Sequence, residues 1–184
     1  QVTEDLSLMP ISEYNKTKMC AERVVLSYSD VMTTQIVRPA TVCGYSPRMR
    51  LDVAVNLLTM QALTNAKITV LGGAQVRPNI HIEDITDLYI HLMNDASITG
   101  IFNAGFENLS ILEIANMVTE VAPAKIEIKQ SNDPRSYRLN SDKLLTTGFK
   151  PKFCVRDAIL EVSQKFRDGS LIDHDRFYNL KWME

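Results

Sequence analysis

Residues 11–29 read ISEYNKTKMCAERVVLSYS, and the spacing of Tyr14 and Lys18 within that run decides how the rest of the chain is read. Residues four apart share one face of a helix, so a phenol and an ammonium can converge on one bound molecule. A cation beside a phenol favours phenolate and lowers the tyrosine's pKa, which suits proton exchange near neutral pH. Alone the pair is a weak signal. Six tyrosines and ten lysines in 184 residues produce about one such spacing in every three chains of this make-up. A half-exposed tyrosine beside a solvated lysine is the plain alternative, and the segments after the helix shift the balance.

Strands alternate with helices along the chain, which argues for an α/β fold. Ser12 precedes a helix expected over about 12–29, and residues 33–39 read as a buried strand that Pro39 ends. The loop GYSPRMRLD (44–52) opens an apolar helix over about 52–65. Short strands are expected at 68–71 and 80–82, the first in the hairpin-like segment ITVLGG (68–73). Asp84 is the expected N-cap of a helix to about residue 94. Residues 101–104 and 125–129 read as strands, and Ser110 caps a helix to about 121. Helices over about 141–146 and 155–168 are ended by Gly148 and Gly169. His81, alternating with Ile80 and Ile82, is expected to face outward from a strand rather than to bind metal.

Several ordered segments together resemble the extended short-chain dehydrogenase/reductases, specifically the NAD-dependent epimerase/dehydratase family that acts on nucleotide sugars. YNKTK (14–18) is similar to the family's Tyr-x-x-x-Lys, and RPATVCGYSP (38–47) to its Arg-Pro-x-x-x-x-Gly-x-x-Pro-like segment. GGAQVRPNIHIEDITD (72–87) resembles its Gly-x-x-x-Arg-x-x-x-His-x-x-Asp stretch. NDPRSYRLNSDKLLTTGFKP (132–151) resembles its late arginine followed by a Leu-Gly-Phe-x-Pro-like turn. The seven glycines, at 44, 72, 73, 100, 105, 148 and 169, build no G-x-G-x-x-G turn to cradle a dinucleotide. In the family that turn lies N-terminal to the tyrosine, along with the catalytic Ser or Thr. The chain therefore reads as the C-terminal half of such an enzyme, with the dinucleotide-binding half absent.

On this resemblance, about 1–50 and 84–105 are remnants of the Rossmann-like sheet layer. About 51–83 and 106–168 form the substrate-binding lobe, and 169–184 a C-terminal tail. Tyr14 would be the acid/base and Lys18 its cation partner on the nicotinamide ribose of NAD or NADP, with Pro39 and Ala40 against the nicotinamide. Thr41, Asn56, Arg77 and Arg135 would contact the nucleotide-diphosphate sugar, the two arginines because a planar fork of donors suits phosphate oxygens. Thr41 stands where many relatives carry Asn, and Cys43 where many carry Tyr. Arg77 pairing with Glu83 or Asp84 at the surface is the competing reading, and for Asn56 it is a polar helix flank. The resemblance points to a dimer or larger species through the Tyr14 helix and an exposed strand edge at Gln35 to Arg38. The isolated chain is expected to be inactive and to bind no cofactor. The reading from another class is a non-catalytic nucleotide-sugar-binding or interaction module that keeps the scaffold.

Composition narrows the remaining classes. With 45% hydrophobic and 23% charged residues and a net charge of −2, the chain is close to globular averages. Near-neutral charge gives no electrostatic case for nucleic acid or an anionic membrane. No apolar run approaches the ~20 residues that span a bilayer, and the start QVTEDLS is unlike a signal peptide. Three cysteines without C-x-x-C spacing argue against a disulfide framework or a zinc site. Cys20, Cys43 and Cys154 are expected to be core thiols of a cytoplasmic protein, and no metal is expected.

Overall fold

The computed structural model describes residues 1–131 and 135–179. Its elements, in chain order, are α1 (Glu13–Leu26), β1 (Gln35–Pro39), β2 (Thr41–Cys43), α2 (Ala54–Asn65), β3 (Lys67–Leu71), β4 (Val76–His81), α3 (Ile82–Asn94), β5 (Gly100–Ala104), β6 (Glu107–Ser110), α4 (Ile111–Val121), β7 (Lys125–Lys129), α5 (Asp142–Leu145) and α6 (Val155–Arg167). A 3-10 turn, Asp175–Phe177, comes last. The expected tail extends into residues 180–184, and the expected segment NDPRSY begins at 132–134; both stretches lie outside the described residues.

Three small sheets carry the strands. β1 and β5 pair in parallel, with Gln35 opposite Gly100 and Pro39 opposite Ala104. β1 has no second partner among the described strands, so one side of it keeps unpaired backbone groups, as expected. β4 lies between β2, parallel to it, and β6, antiparallel to it. β3 pairs in parallel with β7. The segment at 68–73 is thus not half of a hairpin with its successor: β3 and β4 belong to different sheets. β2 and β6 were not foreseen, because three- and four-residue strands leave too few alternations to register as a period.

Three clusters form the core. Val55 and Leu58 of α2, Ile114 and Val118 of α4, and Val155 and Ile159 of α6 close over Ile68 and Val70 of β3. Full burial of each such side chain stabilises by roughly 1.5–3 kcal/mol. Leu88 and Leu92 of α3, Phe102 and Ala104 of β5, Leu144 and Phe149 form the second. Here Gly105 is required: a Cβ on it would stand 2.5 Å from Ala40 Cβ. A third, smaller cluster joins Met49, Leu51 and Met60 to Val162, Leu171 and Phe177.

Local chemistry explains the helix ends. Ser110 Oγ accepts from the Glu113 amide at 3.1 Å, and Glu113 accepts from the Ser110 amide at 2.7 Å, a reciprocal cap starting α4. α3 begins earlier than expected. His81, not Asp84, caps it, with Nδ1 accepting from Glu83 N at 3.2 Å. Asp84 is buried, and its two carboxylate oxygens accept from Lys152 N (2.8 Å) and Phe153 N (3.1 Å), which fixes the approach to α6. His81 is buried and stacked on Phe153, with centroids 4.8 Å apart, rather than facing outward. The cysteine expectation also changes: Cys43 alone is buried, Cys154 is half-buried and Cys20 is exposed on α1.

Candidate active site

α1 is held by its flanks and not by a core. None of its residues is buried. Met19, Glu22 and Leu26 are half-buried, and their spacing places them on one face. The firmest tie is ionic. Arg38 of β1 donates from Nε to Glu22 Oε2 at 2.9 Å and from Nη2 to Glu22 Oε1 at 2.6 Å, and its Nη1 donates to the Glu4 carbonyl at 3.2 Å. The Glu22 carboxylate raises the Arg38 pKa above its ordinary value against the opposing effect of burial. This forked pair sets the helix face that carries Tyr14 and Lys18 against the strand that ends at Pro39.

Tyr14 and Lys18 open onto a cleft of about 570 Å³ whose walls include Val37, Pro39, Tyr89 and Tyr137. Lys18 Nζ lies 5.5 Å from the centroid of the Tyr14 ring. Tyr14 is 68% exposed, so its hydroxyl is open to a ligand. The cleft thus combines a phenol, a cation and an apolar floor, a set that can bind a ring and exchange a proton at its edge.

The other predicted residues divide into two groups. Ala40, next to Pro39, is buried and donates from its amide to the Ala104 carbonyl at 2.7 Å. Thr41 is half-buried in β2 opposite Asn79. Asn56 is buried and fully engaged with backbone: Oδ1 accepts from Gly44 N (3.1 Å), and Nδ2 donates to the carbonyls of Gly44 (3.3 Å) and Arg50 (2.9 Å). All three described hydrogen bonds of its side chain go to the backbone of the loop from Gly44 to Arg50. Arg77 sits in β4, and its Nη1 donates to the Val76 carbonyl at 3.2 Å and to the Arg135 carbonyl. Among the described contacts it pairs with neither Glu83 nor Asp84.

The stretch 135–138 connects the two groups. Ser136 Oγ accepts from Val76 N at 3.0 Å and Tyr137 N donates to the Val76 carbonyl at 3.3 Å, so it runs beside the start of β4. Arg135 therefore meets Arg77, while Tyr137, two residues on, reaches the Tyr14 cleft. Sequence reasoning missed Glu22, Arg38, Tyr89 and Tyr137. Only Glu22 left a signal, lying four residues beyond Lys18 on the same face. Cys43 offers no nucleophile: burial, with lesser contributions from Glu107 and Cys154, pushes its thiol up to about 12. Among the described residues, no three His, Cys, Asp or Glu side chains gather to hold a metal ion. No described helix is long and apolar enough to cross a membrane.

The family model of the NAD dependent epimerase/dehydratase family matches residues 1–105. The chain belongs to that family. It is 28% identical to UDP-glucose 4-epimerase of Lactobacillus helveticus, a match covering 90% of this chain and 58% of that protein. It is 30% identical to UDP-glucuronic acid decarboxylase 3 of Arabidopsis thaliana, over 84% of this chain and 47% of that one. The crystal structure of UDP-glucuronic acid 4-epimerase from Bacillus cereus, in complex with UDP-glucuronic acid and NAD, superimposes with a TM-score of 0.78. That match has 27% identity and covers 91% of this chain and 56% of that one. The chain thus spans about half the length of the curated relatives it matches.

Proposed function

We propose that these residues are the substrate-binding part of an NAD- or NADP-dependent nucleotide-sugar epimerase or dehydratase, with Tyr14 as its acid/base and Lys18 as the cation partner. One observation carries the reading: the 135–137 stretch joins the Arg77 side chain to the cleft that holds Tyr14, Lys18 and Pro39. A diphosphate held by guanidiniums and a sugar presented to a phenol need that continuity. The family match supports it, as does the likeness to a protein solved with UDP-glucuronic acid and NAD.

The cleft fits the ribose and nicotinamide end of the cofactor, since Lys18 supplies a donor cation and Val37 and Pro39 an apolar wall. NAD or NADP, held there by Lys18 and Pro39, would supply the hydride-transfer chemistry. Tyr14 accepts the proton of the sugar hydroxyl and returns it to the product. Lys18 binds the ribose hydroxyls and keeps a positive charge beside the phenol. Arg38 and Glu22 hold both residues over the end of β1. Thr41 and Ala40 form the backbone floor, Arg77 and Arg135 receive the diphosphate, and Asn56 contributes by shaping the loop from Gly44 to Arg50. The outward residues Val24, Val25 and Val31, all exposed, serve a homodimer or larger assembly.

Calorimetric titration of the 184-residue chain with UDP-glucuronic acid tests the reading. Weak binding that Arg77→Ala lowers about tenfold is expected, since a charge-assisted contact is worth roughly 1.5–3 kcal/mol. No heat at millimolar ligand, nor with other nucleoside diphosphate sugars, sinks it.

A further inference from the structure

The loop that leaves β2 is gripped from two sides. Asn56 of α2 holds Gly44 and Arg50 from within. From the other side Glu161 of α6 accepts from the Tyr45 amide through Oε2 at 2.9 Å. The same oxygen lies 3.5 Å from Nε2 of His81, whose side chain is 3% exposed. His81 Nδ1 accepts from Glu83 N, so a neutral imidazole carries its proton on Nε2, the nitrogen that approaches Glu161. That buried nitrogen makes no hydrogen bond among the described residues, so its approach to Glu161 is an electrostatic contact. Gly44 has φ +104°, and a Cβ there would stand 3.0 Å from His81 Nε2 and 3.2 Å from Glu161 Oε2. The positive φ and the 2.9 Å approach of Ile82 Cγ2 to the same Cβ position favour glycine at the turn.

We propose that Glu161 is a positioning residue: with His81 it latches the Gly44–Tyr45 turn and so fixes the register of the chain from Pro39 to Arg50. The inference rests on the reading of Pro39 and Thr41 as walls of the ligand site. β2 is three residues long, with Cys43 opposite His81 and Thr41 opposite Asn79. So short a strand cannot hold its own register. The latch at its carboxyl end does so instead, and Pro39 lies four residues before Cys43. Beyond the turn, buried Met49 and Leu51 anchor the loop while Pro47, Arg48 and Arg50 stay exposed. The Tyr45 amide is the group that loses its acceptor when the carboxylate goes.

Limited trypsin digestion reads the latch, because Arg48 and Arg50 are exposed cleavage sites on it. Glu161→Ala is expected to speed cleavage after them about tenfold, the effect of losing one charge-assisted bond, and Glu161→Gln, which keeps an acceptor for Tyr45, to restore most of it. Titration with UDP-glucuronic acid reads the positioning: Glu161→Ala weakens binding and Gln rescues it. Circular dichroism confirms that each variant is folded; if Ala is not, the Gln variant and His81→Phe, which removes the facing N–H, carry the comparison. Unchanged cleavage in the folded variants overturns the latch, and faster cleavage with unchanged affinity overturns its positioning role. Arg77→Ala separates the two readings, since it lowers affinity without touching cleavage. If the parent chain binds no nucleotide sugar, the functional reading falls and the positioning role with it, while the digestion still decides whether the latch exists.

Discussion

Replacing Glu22 with Ala removes the carboxylate that ties α1 to β1, and the structure sets the size and the place of the effect. The pair is bidentate, with side chains 20% and 13% exposed, so it lies between surface and buried. Breaking a buried pair costs about 3–5 kcal/mol and an exposed one about 0–1, which places this one near 2 kcal/mol. That energy is about a thirtyfold rise in the population with the helix undocked. The loss should be local, because no residue of α1 belongs to any of the three core clusters. Amide hydrogen exchange is the suitable assay, since it resolves opening element by element. Amides of residues 17–26 should exchange about thirtyfold faster, while those of α2, α4 and α6 hold their protection. The double variant Glu22→Ala/Arg38→Ala should exchange no faster than the single one. If protection in α1 is unchanged, the pair does not dock the helix and the placement of Tyr14 needs another cause. If protection falls throughout the molecule, α1 is part of the cooperative core.

With an aromatic disulfide reagent at pH 8, Cys20 should react at once, Cys154 more slowly and Cys43 only on unfolding; immediate reaction of all three would contradict the burial of Cys43. Because the folded Cys43 pKa is about 12, above its unfolded value near 8.5, its contribution is intact below about pH 8.5 and lost as pH rises toward 12, at most ~1.4 kcal/mol per pH unit. Cys43→Ala should flatten that alkaline limb in denaturant titrations, whatever it costs at neutral pH. Light scattering should show a self-associated species that Val25→Lys dissociates, and a monomeric parent chain at high concentration would refute the assembly. Titration with NAD or NADP should give no heat with these 184 residues, and micromolar binding would show that a Gly-rich turn is dispensable for pyrophosphate recognition.

What the sequence disclosed and what it hid differ in physical kind. Ser110 followed by Glu113, the apolar spacing of 155–168 and the alternation of 125–129 each encode an element through neighbours in sequence, and each stands where expected. β2 and β6 exist only because β4 lies between them, and three or four residues carry no period of their own. Asp84 fits the composition of an N-cap, but two amides 68 and 69 residues away claim its carboxylate, so tertiary demand overrode a local preference. His81 shows the same conflict: alternation with two isoleucines implies an outward side chain, while a cap, a stacked ring and a carboxylate on another helix bury it. At the site, Tyr14 and Lys18 were legible because one helical turn joins them. The 135–137 bridge to Arg77 was not, since nothing in a linear string shows that the stretch after β7 returns to the start of β4. A residue whose role depends on a distant partner is silent in its own sequence neighbourhood, and Arg38, Glu161 and Tyr137 are of that kind.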